Sequence, residues 1–393
     1  MSSASRPWHP QGVILFSQDG VSYELLRELE TSHHGESTVL ARQRTGRSIG
    51  GQVVIKRLPL TDVDAATRDL IRTRLQEEVR LATYLQHPNI ARVHRSHETP
   101  DDFFVVRDFV EGWSLNTLLT ASMMCGVHLS EAFVLHVGVE VARALHHAHT
   151  RVDEQGHPLQ ILHRDLNPRG ITLGPLGEVT LTDFGLAHSR LPGRRPTTLP
   201  RPRGNVYFAA PEALLGGNLD ARSDLFSLGL VLLELATWNH LYNLDASAWD
   251  ALPETLTAPI KEQVLGALLT AAAAALPDEV DELILRAATY RPEELERVLQ
   301  PVSEPLRDIL RRLLQREPSA RPSTAAELEV ELRACLAARG SVYGAAEAAA
   351  EVRTSLAAAS SSQEHVTATE PGVFPECIPL SADDITTESG RRA

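Results

Sequence analysis

The residues of this chain whose types and spacing could do chemistry fall in three short stretches. "ILHRDLNPRGITL" (161–173) sets His163, Arg164 and Asp165 in succession, with Asn167, Pro168 and Gly170 close behind. "TDFG" (182–185) carries a second aspartate, Asp183, ahead of a Phe-Gly pair. "VVIK" (53–56) ends on Lys56, and of the 38 basic residues only Lys56 and Lys261 are lysines, all the rest being arginines. An aspartate can accept a proton or hold a hard divalent cation through its oxygens. A lysine ammonium is a compact point charge where a guanidinium is a planar fork, so a lysine kept in so arginine-rich a chain points to a need for that point charge.

The elements that would position these groups change character along the chain. Residues 1–20 are polar and punctuated by Pro and Gly, and read as a loose leader. From Val21 to about Val110 the pattern is of short strands with one helix: "YELLREL" and "TVLARQ" as a hairpin, and "GQVVIKRL" as a third strand bounded by glycines and Pro59. Leu70, Ile71, Leu75, Val79, Leu81 and Leu85 recur at helical spacing and end at His87-Pro88. "ARVHRSHE" and "DFFVVRDFV" then read as two strands around Thr99-Pro100. After Glu111-Gly112 the chain turns helical: Ser130 caps "EAFVLHVGVEVARALHHAHT", and helical patterns recur at 222–238, 279–298, 304–316 and 324–338. Residues 339–393 carry Ala runs and few large apolar groups, so a disordered tail is expected.

Six motifs in one order make the chain resemble the protein kinase superfamily, and bacterial serine/threonine kinases most of all. They are "VVIK", the His-Arg-Asp stretch, "TDFG", "AAPE" (209–212), "SDLFSLGLVLLEL" (223–235) and "REPSARP" (316–322), spread over about residues 21–336. The resemblance implies an α+β, two-lobed fold: a small antiparallel β-sheet lobe with one helix over 21–110, and a larger, mainly helical lobe over 111–338 that includes an insertion at about 238–300. It implies Asp165 as catalytic base, and Lys56 as holder of the ATP phosphates with Glu78 as its ion-pair partner. Asp183 is implied as the ligand of Mg²⁺, with Mn²⁺ as the alternative. Leu29, Gly35, Val54, Asp108 and Val110 are implied as further neighbours of the nucleotide. Asp224 is implied as anchor of the catalytic-loop backbone, and Arg321 as the partner of Glu212. Thr197 and Thr198 lie in the arginine-rich segment between Asp183 and Glu212 and are candidate phosphoacceptors that could pair with Arg164.

The chain also departs from the family pattern. The glycine-rich loop is reduced to "LETSHHGESTVLA" (29–41), whose one glycine is Gly35; side chains at His33 and His34 would hinder the backbone's approach to phosphate, or, protonated, would contact it instead. Val54 replaces a small Ala, Arg107 stands at the back of the nucleotide pocket, Asn167 replaces a phosphate-contacting Lys, and Thr172 replaces an apolar residue beneath the adenine. Gly170 stands where the second metal-binding Asn belongs. Two readings follow: a protein kinase of reduced rate acting on Ser/Thr of protein substrates, or a pseudokinase that regulates a partner kinase or scaffolds a complex.

Bulk composition narrows the remaining classes. A net charge of −13 disfavours nucleic acid and anionic membranes as partners. No apolar run reaches the roughly 18–20 residues of a membrane span, and the N-terminus has no secretory core, so a cytoplasmic location is expected. Three scattered cysteines with no Cys-x-x-Cys pair argue against disulfides and structural zinc. His146, His147 and His149 sit near a helix end, where the dipole favours a partly charged imidazole.

Overall fold

The structure is a computed structural model that describes residues 12–31, 37–61, 65–184, 187–191, 205–242, 256–274, 276–340 and 342–363. Gly35, Thr197 and Thr198 lie outside the described residues. The chain divides into two compact units, with Met1–Gln86 and Ala91–Val110 in the first and His87–Ile90 and Glu111–Asp384 in the second. The class is α+β, as expected.

The first unit is built on β1 (Ile14–Gln18), β2 (Val21–Thr31), β3 (Ser37–Thr45), β4 (Ser48–Pro59), β5 (Val93–Glu98) and β6 (Asp102–Asp108). They form one antiparallel sheet in the order β1-β2-β3-β4-β6-β5. Alternation decides the faces. Tyr23, Leu25, Val39, Ala41, Val53, Ile55, Phe104 and Val106 pack together with Phe16, while Leu58, Leu60, Phe103 and Val105 pack with Leu75 of helix α1 (Ala65–Ala82).

β1 corrects the expected leader. Residues 14–18 pair with β2, and Phe16 is buried between Tyr23, His97 and Phe104 at ring-centroid distances of 4.6, 4.5 and 4.8 Å. One aromatic ring with three ring neighbours is enough to order a strand that local composition marks as loose.

In the second unit a small sheet of β7 (Trp113–Ser114), β8 (Ile171–Leu173) and β9 (Val179–Leu181) is surrounded by helices. These are α2 (Leu115–Cys125), α3 (Glu131–His149), α4 (Pro211–Leu214) and α5 (Ala221–Thr237), followed by α6 (Ala258–Ala273), α7 (Asp278–Thr289), α8 (Pro292–Leu299), α9 (Glu304–Leu313), α10 (Ala325–Ala337) and α11 (Ala345–Gln363). Ser130 caps α3 by accepting the Phe133 N–H at 3.1 Å. α5 is apolar on nearly every side and is buried along almost its whole length. The pattern at 279–298 is two helices, because Pro292 cannot continue a helix it does not begin. Among the described residues no helix is long and apolar enough to cross a membrane.

α11 corrects the expected tail over 345–363. It packs on α2 and α3 with Ala348, Ala349 and Val352 buried. Glu351 fixes it, accepting the Ser130 N–H at 2.6 Å, the Ser130 hydroxyl at 2.7 Å and the Tyr343 hydroxyl at 2.6 Å. Gly177, at φ +90°, lies so near the Ala345 carbonyl that a Cβ there would be 1.8 Å from its oxygen. Small side chains offer little apolar area each but allow close backbone approach, and summed dispersion contacts then replace large groups.

Candidate active site

The His163–Asp165 loop is held from beneath by the first turn of α5. Asp224 accepts the backbone N–H of His163 at 2.9 Å on Oδ2 and that of Arg164 at 2.9 Å on Oδ1. His149 Nε2 donates to the same Oδ2 at 2.8 Å. Burial pushes the Asp224 carboxyl up, but these donors outweigh it, and the group ionises below its ordinary range. His149 was assigned only to a helix end by the sequence, and its role here depends on a residue 75 positions away.

Above this anchor, His163 donates from Nε2 to the Thr182 carbonyl at 3.0 Å, which leaves Nδ1 to accept the Asp165 N–H at 3.3 Å. The imidazole meets the Phe184 ring edge-on at 4.6 Å. Arg164 and Asp183 both adopt left-handed backbone, each at φ +67°. Non-glycine residues there cost of order 1–3 kcal/mol and persist where the surroundings impose the conformation. Here that imposition includes the Asp224 bonds to His163 and Arg164.

Asp165 is half-buried, and among the described residues its carboxylate is bonded on one oxygen only. Oδ1 accepts the Asn205 N–H at 2.7 Å and the Asn167 side-chain amide at 3.1 Å. No hydrogen bond reaches Oδ2 from the described residues. Burial raises its pKa above the ordinary carboxylate range, with the charge of Asp183 adding to the rise and the two donors opposing it. Asp183 itself is exposed. Gly170 is buried, yet a Cβ there would meet only the Thr182 carbonyl oxygen, at 3.8 Å, so the missing side chain reflects no lack of room for that first carbon. The side chain of Asn205 caps the next turn by accepting the Tyr207 N–H at 3.1 Å, but its bond to Asp165 is made through the main chain, and any residue but Pro could make it.

A second anchor lies farther along the unit. Arg321 grips Glu212 bidentately at 2.7 and 2.9 Å and spends its other N–H groups on the carbonyls of Gln315, Arg222 and Arg316. Its guanidinium lies 4.7 Å from the Phe226 ring centroid, and the Ser223 hydroxyl donates to Glu212 at 2.6 Å. A planar fork with five N–H donors can grip a carboxylate bidentately and still reach these carbonyls, which is why Arg rather than Lys is suited to this place.

The remaining sequence candidates belong to the first unit. Lys56 stands on β4 opposite Thr38 of β3 and Val105 of β6, one residue along from fully buried Ile55 and so on the other face of the sheet. Val54 is buried and pairs with Arg107 across the same ladder. Glu78 is half-buried on α1, and Leu29 is exposed on β2. Asp108 accepts the Arg92 N–H at 3.1 Å and His94 Nε2 at 2.6 Å, and Val110 closes the unit.

Comparison with known proteins places this geometry in context. A model of the protein kinase domain matches residues 35–332. The tyrosine-protein kinase MasK of Myxococcus xanthus is 29% identical over 288 residues, covering 72% of this chain and 42% of that protein. The serine/threonine-protein kinase PrkC of Bacillus subtilis is 34% identical over 164 residues, covering 42% of this chain and 23% of that protein. The serine/threonine-protein kinase PknJ of Mycobacterium tuberculosis is 35% identical over 176 residues, covering 44% and 28%. The chain thus spans less than half the length of each of these three relatives.

Proposed function

Since this chain belongs to the protein kinase family, we propose that it transfers the γ-phosphate of ATP to serine or threonine hydroxyls of protein substrates, at a reduced rate. The observation that carries this reading is the Asp165 carboxylate, held on Oδ1 by two N–H donors with Oδ2 unbonded among the described residues. Oδ2 accepts the proton of the attacking hydroxyl as its oxygen bonds to the γ-phosphorus and ADP departs. Lys56, positioned by Glu78, holds the phosphates as a point charge. Leu29, Gly35, Val54, Asp108 and Val110 surround the nucleotide.

The donor set suits one divalent cation. Asp183 offers a hard carboxylate, which with phosphate oxygens and water matches Mg²⁺ or Mn²⁺, while Gly170 offers no second side-chain ligand. When bound, the cation neutralises charge developing on the phosphates. A cytoplasmic location accompanies this reading, since ATP and protein hydroxyls are both supplied there.

Magnitudes permit a slow enzyme. Losing one preorganised charge-stabilising group costs about 3–4 kcal/mol, or roughly 10²–10³ in rate. Against a usual turnover of about 1–100 s⁻¹, that leaves roughly 10⁻³–1 s⁻¹. A second reading has its own observation: Gly170, Asn167 and the single Gly35 together remove a metal ligand, a cation and the phosphate-approaching loop. On that reading the chain is a pseudokinase that binds a partner kinase.

The test is transfer of labelled γ-phosphate from ATP to the protein itself and to a basic protein substrate, with Mg²⁺ or Mn²⁺, beside Asp165→Asn. Label in the wild type and none in the variant supports the enzyme. No label in either supports the pseudokinase.

A further inference from the structure

The side chain of Asn167 is fully engaged, and its engagements all concern one neighbour and one turn. It is 4% exposed. Its Nδ2 donates to the Asp165 carbonyl at 2.8 Å and to Asp165 Oδ1 at 3.1 Å, which uses both amide hydrogens. Its Oδ1 accepts the Arg169 N–H at 3.0 Å and so caps the 3₁₀ turn Pro168–Gly170. An amide with both hydrogens committed has no donor left for a phosphate.

The carboxylate it touches needs such a hold. The terminal torsion of an aspartate is broad and nearly two-fold, so nothing intrinsic decides which oxygen faces outward. Two donors converge on Oδ1 from different parts of the chain, the Asn205 main chain and the Asn167 side chain. A carboxylate pinned on one oxygen presents the other, and a misdirected base loses much of the advantage of being held near its substrate.

We propose that Asn167 is a positioning residue that fixes the rotation of the Asp165 carboxylate and so keeps Oδ2 as its outward oxygen. Its consequence for catalysis rests on the reading of Asp165 as the base. Asn167 takes the place of a cation without replacing it. It contributes orientation, and the phosphates depend on Lys56 and the metal for their positive charge.

Two substitutions separate this role from capping. Asn167→Asp keeps an acceptor for the Arg169 N–H but loses both donors, whereas Asn167→Leu loses cap and donors together. For both variants kcat is expected to fall about 10- to 100-fold with KM for ATP and for substrate within about twofold, since the interaction lost orients a reacting group and binds neither substrate. The melting temperature of Asn167→Asp should stay near wild type. A readout independent of turnover is the Asn205 amide in a ¹H–¹⁵N spectrum, whose hydrogen exchange should quicken about tenfold in both variants as its acceptor rotates away. Unchanged exchange at Asn205 together with unchanged kcat in Asn167→Asp overturns the proposal. Faster exchange at Asn205 in a protein whose wild type transfers no phosphate sustains the brace and overturns the reading of Asp165 as base.

Discussion

Two regions of the second unit handle carboxylates in opposite ways. At the base of the His163–Asp165 loop Asp224 receives three donors, and farther along the unit Glu212 receives a bidentate Arg321 with a Ser223 hydroxyl. Within the loop itself, Asp165 receives two donors on one oxygen and none on the other from the described residues. The ionisation of Asp224 falls below its usual range while that of Asp165 rises above it. Saturation with donors makes a carboxylate inert and structural, and an unsatisfied oxygen leaves it able to take a proton. Glu234 on α5 marks the far end of this scale: its Oε2 has no partner among the described residues, and burial pushes its pKa to about 7.

The comparison breaks most sharply at Asp165. Asp165→Asn removes the acceptor and should lower phosphoryl transfer about 10²- to 10⁴-fold with a near-native melting curve. Lys56→Met should also remove transfer and leave the fold intact. Residual activity equal to wild type in both variants would refute the assignment. Arg321→Ala leaves the half-buried Glu212 without its fork and should cost about 3–5 kcal/mol of stability in urea unfolding. A loss below about 1 kcal/mol would show that the saturated anchor is not structural.

Glu234 sharpens the scale through pH. Its folded pKa of about 7 exceeds the ordinary 4.5, so its neutral form supports the fold below pH 4.5 and that support is lost as pH rises through 7. Glu234→Gln should therefore match wild type in acid and exceed it by up to about 3 kcal/mol at pH 8. Equal melting temperatures of the two proteins at pH 8 would show that Glu234 finds a partner in solution. Smaller still is Glu351→Ala, which strips α11 of its bonds to Ser130 and Tyr343. A stability loss of about 1–2 kcal/mol is expected, and proteolysis should quicken within 345–363. The smallest structural change is Gly170→Asn, where the Cβ has room. Stability should barely move, while turnover or Mg²⁺ affinity rises. No change in either would show that the missing ligand is compensated elsewhere.

Most of the α+β order was legible in the sequence because helices and strands announce themselves through apolar period and cap residues. Ser130, Pro59 and the alternation of β4 are local signals. β1 and α11 were missed for a common reason. Phe16 orders its strand only by meeting Tyr23, His97 and Phe104, and α11 is ordered by backbone closeness at Gly177 and by Glu351 reaching Ser130. Tyr23 is near Phe16 in the chain, but His97 and Phe104, like Ser130 and Gly177 for α11, lie far from the segment they order.

The same division runs through the candidate active site. Residue type alone determined which groups could serve: a lysine kept among arginines, aspartates in family motifs, a glycine where a ligand belongs. Only tertiary structure decided which oxygen of Asp165 is held, that His149 supports Asp224, and that an unremarkable Asn205 donates through its main chain. Chemistry capable of proton transfer is a property of side chains and can be read from their letters. Beside the nearby Asn167, orientation and ionisation depend on donors brought from 40 residues away for Asp165 and up to 75 for Asp224, and those meet only when the chain has folded.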